Sequence, residues 1–257
     1  MEMKRKPVVA LSLKAYYPEL ASNLKIAENL LRELKTSSVE FLYFPSLGAI
    51  SQVAATLKNS NIGVGAQNIG PFEKGPYTGE YSILSLREVG GGYVEVGHSE
   101  RRQLFKEDDQ LIQQKVRLTL NNGLIPLLCV GEVAKLTSLN QRQAELERQL
   151  FLALQGLGSA KLSKVIIAYE PVWAIGQEAA ASANYIHSSH QLIRQLLEIH
   201  YGQDVSQKIR LIYGGSVSSE NVAKIVDHVD VDGVFVGRFG HEISQLKAIV
   251  IAVENKG

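Results

Sequence analysis

Short runs of apolar, often β-branched residues recur along the whole chain and alternate with stretches whose apolar positions step by three or four. The runs predict eight strands, over Val8–Leu13, Val39–Phe44, Ile62–Ala66, Tyr93–Gly97, Ile125–Val130, Val165–Glu170, Ile209–Tyr213 and Val231–Val236. Unbroken apolar runs suit strands buried on both faces, as in a parallel sheet covered by helices. Between them Leu20, Leu24, Ala27 and Leu31 fall on one helical face, as do Ile186, His190, Ile193 and Leu197, and less strictly Leu111, Val116 and Leu120. Asn121-Asn122-Gly123 supplies a left-handed stop before the strand at Ile125. Eight such units with no Pro/Ser-rich linker predict an α/β chain folded as a single (β/α)8 barrel over residues 1–257.

Composition narrows the function classes. Lys plus Arg is 27 and Asp plus Glu 26, a net charge of +1, so no global field favours nucleic acid or an anionic membrane. The lone Cys129 has no disulfide partner, and no Cys/His spacing suits zinc, which points to a reducing, cytoplasmic setting and no metal. The longest apolar runs, such as Ala248–Val253, fall far short of the roughly 18 residues of a spanning helix. Lys4-Arg5-Lys6 before Val8 faintly imitates a signal peptide, but Ser12 and Lys14 break the apolar part.

In a parallel barrel the loops after the strands share one mouth, and the reactive residue types concentrate there. Glu170 ends an apolar strand, a costly place for a carboxylate without a task, and the following Pro171 to Gly176 could form a lid over it. The alternative is a capping glutamate. His98 opens a short helix after the fourth strand, where a helix N-terminus favours a neutral ring able to donate to a carbonyl oxygen. Lys14, just past the first strand, could draw in a phosphate or be an ordinary solvated lysine. Gly176, Ser216 after Gly214-Gly215, and Gly237 are candidate phosphate-cradling positions, the last two on the loops that commonly hold phosphate in such barrels. His187 and His190 sit at i, i+3 without a third ligand and are better read as surface and core-edge histidines. Cys129 reads as packed core, and Glu145, Glu147 and Arg148 as a solvated helix face.

Several motifs together resemble the triosephosphate isomerase family over essentially the whole chain: Ser12-Leu13-Lys14, Gly65-Ala66-Gln67-Asn68, Tyr77-Thr78-Gly79-Glu80, Gly97-His98-Ser99-Glu100-Arg101-Arg102, Cys129-Val130-Gly131-Glu132, Ala168 to Gly176, Tyr213 to Val217 and Asp232-Gly233. The resemblance implies an intramolecular oxidoreductase that interconverts aldose and ketose phosphates by a proton shift through an enediolate. Glu170 would move the proton between neighbouring carbons, His98 would shuttle protons between the two oxygens, Lys14 would stabilise the charge, and Glu100 would order the site. A glutamate base beside a neutral histidine is the family's own known chemistry and comes with the resemblance. Backbone N–H groups of Gly176, Ser216 and Gly237 would hold the phosphate while the lid excludes water. No cofactor is implied. A homodimer is, with Thr78 reaching into the partner beside Ser12 and His98.

The chain also departs from the family pattern at the substrate end. Ser12 stands where the family has asparagine, Phe235 where it has leucine, Arg238 where it has a second glycine, and the lid ends in Gln177-Glu178-Ala179. Shortening asparagine to serine removes an amide and opens volume for one more carbon and hydroxyl, and Arg238 keeps a backbone N–H while adding a cation. This combination resembles a paralogous branch that isomerises four-carbon ketose phosphates such as L-erythrulose 1-phosphate, for use in a polyol pathway. The alternative is the three-carbon reaction of glycolysis, between dihydroxyacetone phosphate and D-glyceraldehyde 3-phosphate. A non-catalytic barrel binding a phosphorylated metabolite would not need both Glu170 and His98, and a Schiff-base aldolase would need a lysine where Glu170 stands.

Overall fold

The computed structural model describes residues 5–34 and 37–256, so Lys4 lies outside it. Eight parallel strands close into a barrel in sequence order: β1 (Val8–Ser12), β2 (Glu40–Phe44), β3 (Ile62–Ala66), β4 (Tyr93–Val96), β5 (Ile125–Val130), β6 (Ile166–Tyr169), β7 (Arg210–Gly214) and β8 (Gly233–Val236), with β8 pairing back onto β1. The expected strands are all present, but several are shorter by one or two residues. Leu13, Gly97 and Glu170 lie just past their ladders, which frees the residues at the mouth from sheet geometry.

Strand residues point alternately inward and outward. Val8, Ala10, Leu42, Phe44, Leu127, Cys129, Ile166, Ala168, Ile212 and Phe235 fill the barrel, while the outward set packs under the helices. At the closed end the interior finishes in a polar plug, with Glu40 accepting from Arg210 at 2.6 Å and from the Tyr93 hydroxyl at 3.1 Å. Arg5 ties this end to Asp232 at 2.7 Å.

Of the expected face of the helix Leu20–Leu34, Ala27 is buried and Leu24 and Leu31 pack half-buried against the core, but the buried stripe runs through Asn23, Leu30 and Leu34 and leaves Leu20 out. The face is turned because the Asn23 amide is fully used: it donates to the Tyr17 and Glu19 carbonyls and accepts from the Ser46 N–H. A satisfied amide is tolerated inside, and Leu20 stays at the surface. Gly123 follows the helix Asp109–Asn121 at φ +79°, the left-handed stop its position predicts. Glu145, Glu147 and Arg148 are more than a solvated face. Arg148 reaches Asp109 on the neighbouring helix as well as Glu145, and Glu147 meets His200 at 2.7 Å on the helix Ala183–Tyr201, so the cluster joins three helices.

Neither histidine of the 187/190 pair is near a carboxylate group suited to metal, and among the described residues no three His, Cys, Asp or Glu side chains could hold an ion. His187 stacks on His228. His190 is wholly buried, with Nδ1 3.0 Å from the Asp230 carbonyl and Nε2 unpartnered. Burial, against the weaker pull of that carbonyl, lowers its pKa to about 3. A group depressed on folding adds stability above its unfolded pKa of about 6.5, and that contribution is lost as pH falls toward the folded value. His190→Gln should therefore flatten the fall in unfolding free energy between pH 6.5 and 4 by up to about 1.4 kcal/mol per pH unit. Denaturant melts of both proteins across that range read the slope, and identical slopes would contradict the assignment.

Candidate active site

At the end of β6 the Glu170 N–H bonds to the Val130 carbonyl of β5 at 2.8 Å, which fixes the backbone where the strand gives way to the following turn. Its side chain then leans over the barrel, 6% exposed, with Oε2 3.8 Å from His98 Nε2 and no hydrogen bond of its own. Gly214 on β7 makes this possible: a Cβ there would stand 2.5 Å from Glu170 Oε1. His98 caps the helix Ser99–Leu104, its Nδ1 accepting the Glu100 N–H at 3.2 Å. A ring that accepts at Nδ1 carries its proton on Nε2, so an N–H donor and a carboxylate face each other across the cleft. One can take a proton from carbon while the other bonds to the adjoining oxygen.

Lys14 enters from β1 at φ +49°, a backbone region that L residues rarely adopt. Gln67 braces it by donating to the Lys14, Phe44 and Pro45 carbonyls at 2.9–3.2 Å. The Lys14 ammonium meets Glu100 Oε1 at 2.5 Å. Burial alone would lower its pKa, but the hydrogen bond and charge of Glu100 raise it above the ordinary lysine value, and the group stays cationic. The two arginines after Glu100 hold the loop from beneath. Arg101 and the buried Lys115 share Glu107, while Arg102 binds the Gly97 carbonyl and Asp109.

The lid starts at Pro171 and turns through Val172–Ala174. The Trp173 indole N–H donates to Glu132 Oε1 at 3.0 Å, and the same carboxylate accepts from the hydroxyls of Tyr169 and Tyr185. On the far side Ser216 Oγ donates to the Ala174 and Gln177 carbonyls, Tyr213 accepts the Ala181 N–H, and the Arg238 guanidinium caps the Gly176 and Gln177 carbonyls at 3.0 and 2.8 Å. The lid is thus pinned down over the mouth by β5, β7 and β8. The Arg238 side chain is spent on the lid, so its part at an anion would fall to the backbone N–H.

Ser12, Lys14, His98, Glu100, Glu170, Gly176, Ser216, Gly237 and Arg238 all line this one cleft. Thr78, exposed in the turn before the helix Ile83–Glu88, does not. Sequence reasoning assigned no task to Glu132 or Gln67, although both lie in motifs that it quoted. The signal at Glu132 was an acidic residue two positions past an apolar strand, beside the lid.

The family profile described as triosephosphate isomerase matches residues 7–253. A probable triosephosphate isomerase 2 of Listeria monocytogenes serotype 4b (strain F2365) is 39% identical over 255 residues, 98% of this chain and all of that protein. The triosephosphate isomerase of Syntrophotalea carbinolica is 40% identical over 236 residues, 86% of this chain and 92% of its own. That of Treponema denticola is 41% identical over 216 residues, 84% and 86% of the two chains.

The facing carboxylate and imidazole carry a specific expectation. Glu170→Asp withdraws the carboxylate by one methylene and should lower kcat by about 100-fold or more while KM changes little, since a displaced base affects the transition state more than binding. Steady-state kinetics decide it, and an unchanged kcat would remove Glu170 from the chemistry.

Proposed function

The chain belongs to the triosephosphate isomerase family, aldose–ketose isomerases acting on a small phosphorylated sugar, and we propose that its own substrate is a four-carbon ketose phosphate, L-erythrulose 1-phosphate. The observation that carries the reaction is the approach of Glu170 Oε2 to within 3.8 Å of His98 Nε2 beneath a lid tied down on both sides. Glu170 takes the proton from C3, beside the C2 carbonyl, and the electron pair of the C–H bond moves to form an enediolate across C2 and C3. His98 hands a proton from one oxygen to the other through Nε2. Glu170 then returns its proton to C2, and the carbonyl has moved to C3. No electrons leave the substrate, and Lys14 offsets the enediolate charge. The backbone at Gly176, Ser216, Gly237 and Arg238 holds the phosphate, Glu100 positions Lys14, and the closed lid keeps water from an intermediate prone to expel phosphate.

Support for the fourth carbon lies at Ser12. Its side chain is 2% exposed at the floor of the cleft, and its Oγ has no hydrogen-bond partner. A small residue with an unused hydroxyl suits a substrate larger by one hydroxymethyl group. The second reading is the three-carbon reaction that the relatives' names carry.

A homodimer, in the cytoplasm, is part of the same proposal. Phe72 and Tyr77 stack at 4.1 Å beside Thr78 with both rings exposed, an apolar surface suited to a second copy. A buried free Cys129 fits a reducing compartment, and among the described residues no helix is long and apolar enough to cross a membrane. The protein acts as one domain without cofactor.

Ser12→Asn should shift kcat/KM toward dihydroxyacetone phosphate and away from L-erythrulose 1-phosphate by about tenfold or more, the scale at which one carbon is discriminated in a pocket. Measuring both substrates on both proteins tests it. A fixed ratio would count against this reading of Ser12.

A further inference from the structure

One carboxyl group in the barrel has no task in the mechanism above. Glu95 sits on β4 opposite Leu127 of β5, on the inward face that Leu127 shares with Cys129 and Phe44. It is 4% exposed, and its Oε2 is enclosed without a hydrogen bond. A carboxyl group in an apolar interior is costly unless paired. Glu40, lower in the same barrel, is paired with Arg210, but Glu95 has no such neighbour among the described residues.

The polar groups that act on Glu95 are those of the cleft above it. Burial pushes its pKa up to about 7, with His98 and Lys14 pulling it down and Glu170 pushing it up. Ser12 lies close enough to favour the charged form, yet its Oγ makes no hydrogen bond of ordinary geometry. Two unsatisfied polar groups thus adjoin each other under the floor, and Ser12 also lines the cleft.

The phosphate-holding loops follow β6, β7 and β8, so a substrate anchored there points its other end toward β1 and β4. Ser12 closes β1, and Glu95 and His98 come from β4 and its loop. On a four-carbon ketose phosphate the carbon that loses its proton to Glu170 bears a CH2OH group where the three-carbon substrate has hydrogen. That hydroxyl needs room and a partner.

We propose that Ser12 and Glu95 form a hydroxyl-binding recess that takes this terminal CH2OH group and so selects a four-carbon ketose phosphate over a three-carbon one. The inference rests on the four-carbon reading above and names its discriminating contact. A hydroxyl both donates and accepts, so Glu95 can bond to it in either protonation state.

The test compares kcat/KM for L-erythrulose 1-phosphate, its 4-deoxy analogue and dihydroxyacetone phosphate on the wild type, Glu95→Leu and Glu95→Gln. Near-UV circular dichroism and Tm confirm folding. Glu95→Leu should lower the four-carbon kcat/KM about 100-fold and the three-carbon value less than tenfold, while Glu95→Gln keeps most of the preference. The 4-deoxy analogue should lose about as much on the wild type, which needs no variant to fold. A wild type that uses the 4-deoxy analogue as well as the parent would overturn the recess and leave the four-carbon reading standing. So would a Glu95→Leu variant that loses both natural substrates equally. A wild type that turns over only the three-carbon substrate would overturn both.

Discussion

Eight parallel strands closed on themselves leave no free edge, and each must deliver its last inward side chain to the same end of the barrel. Ser12 is such a residue, Glu170, Lys14 and His98 follow one or two positions past their strands, and Gly214 closes β7 with no side chain. The closure brings together Lys14 and Glu170, 156 positions apart in sequence. Each loop then needs only a short local device to aim its side chain: Gln67 for Lys14, the helix cap for His98, and the space left by Gly214 for Glu170.

Charge is distributed unevenly around this mouth. Glu170 and Glu95 stand inside without a salt-bridged lysine or arginine, while Lys14 is held by Glu100 toward the more open side. Glu132 is buried yet satisfied by three neutral donors, from Tyr169, Trp173 and Tyr185, and so anchors the lid without a counter-ion. Glu132, two residues past β5, is fixed in place by those donors, whereas Glu170, one residue past β6, keeps its Oε2 free of hydrogen bonds and facing His98.

The eight strands were legible because burial on both faces produces unbroken apolar runs, and only their ends moved, where apolar character outlasts the hydrogen-bond ladder. Helix faces were less legible: Asn23 reads as polar in sequence, and only its partners on Tyr17, Glu19 and Ser46 explain why it faces inward. Nine cleft residues could be named from strand-end position and family resemblance together. Glu95 escaped because it lies within a run taken whole as a strand, although a lone carboxylate at an inward strand position was a visible signal. The direction of the Arg238 side chain, toward lid carbonyls from another loop, depends on tertiary contacts that no local pattern encodes.

The central claim is a proton shift by Glu170 on a four-carbon ketose phosphate. Its most direct test is turnover of L-erythrulose 1-phosphate by the wild type in D2O, followed by NMR of the product. A carboxylate that exchanges with solvent during the enediolate's lifetime predicts erythrulose 4-phosphate carrying solvent deuterium on the carbon that was the carbonyl. Solvent deuterium at any other carbon of the product would place the proton shift elsewhere, and no product at all would mean the wrong substrate; either result would contradict the account.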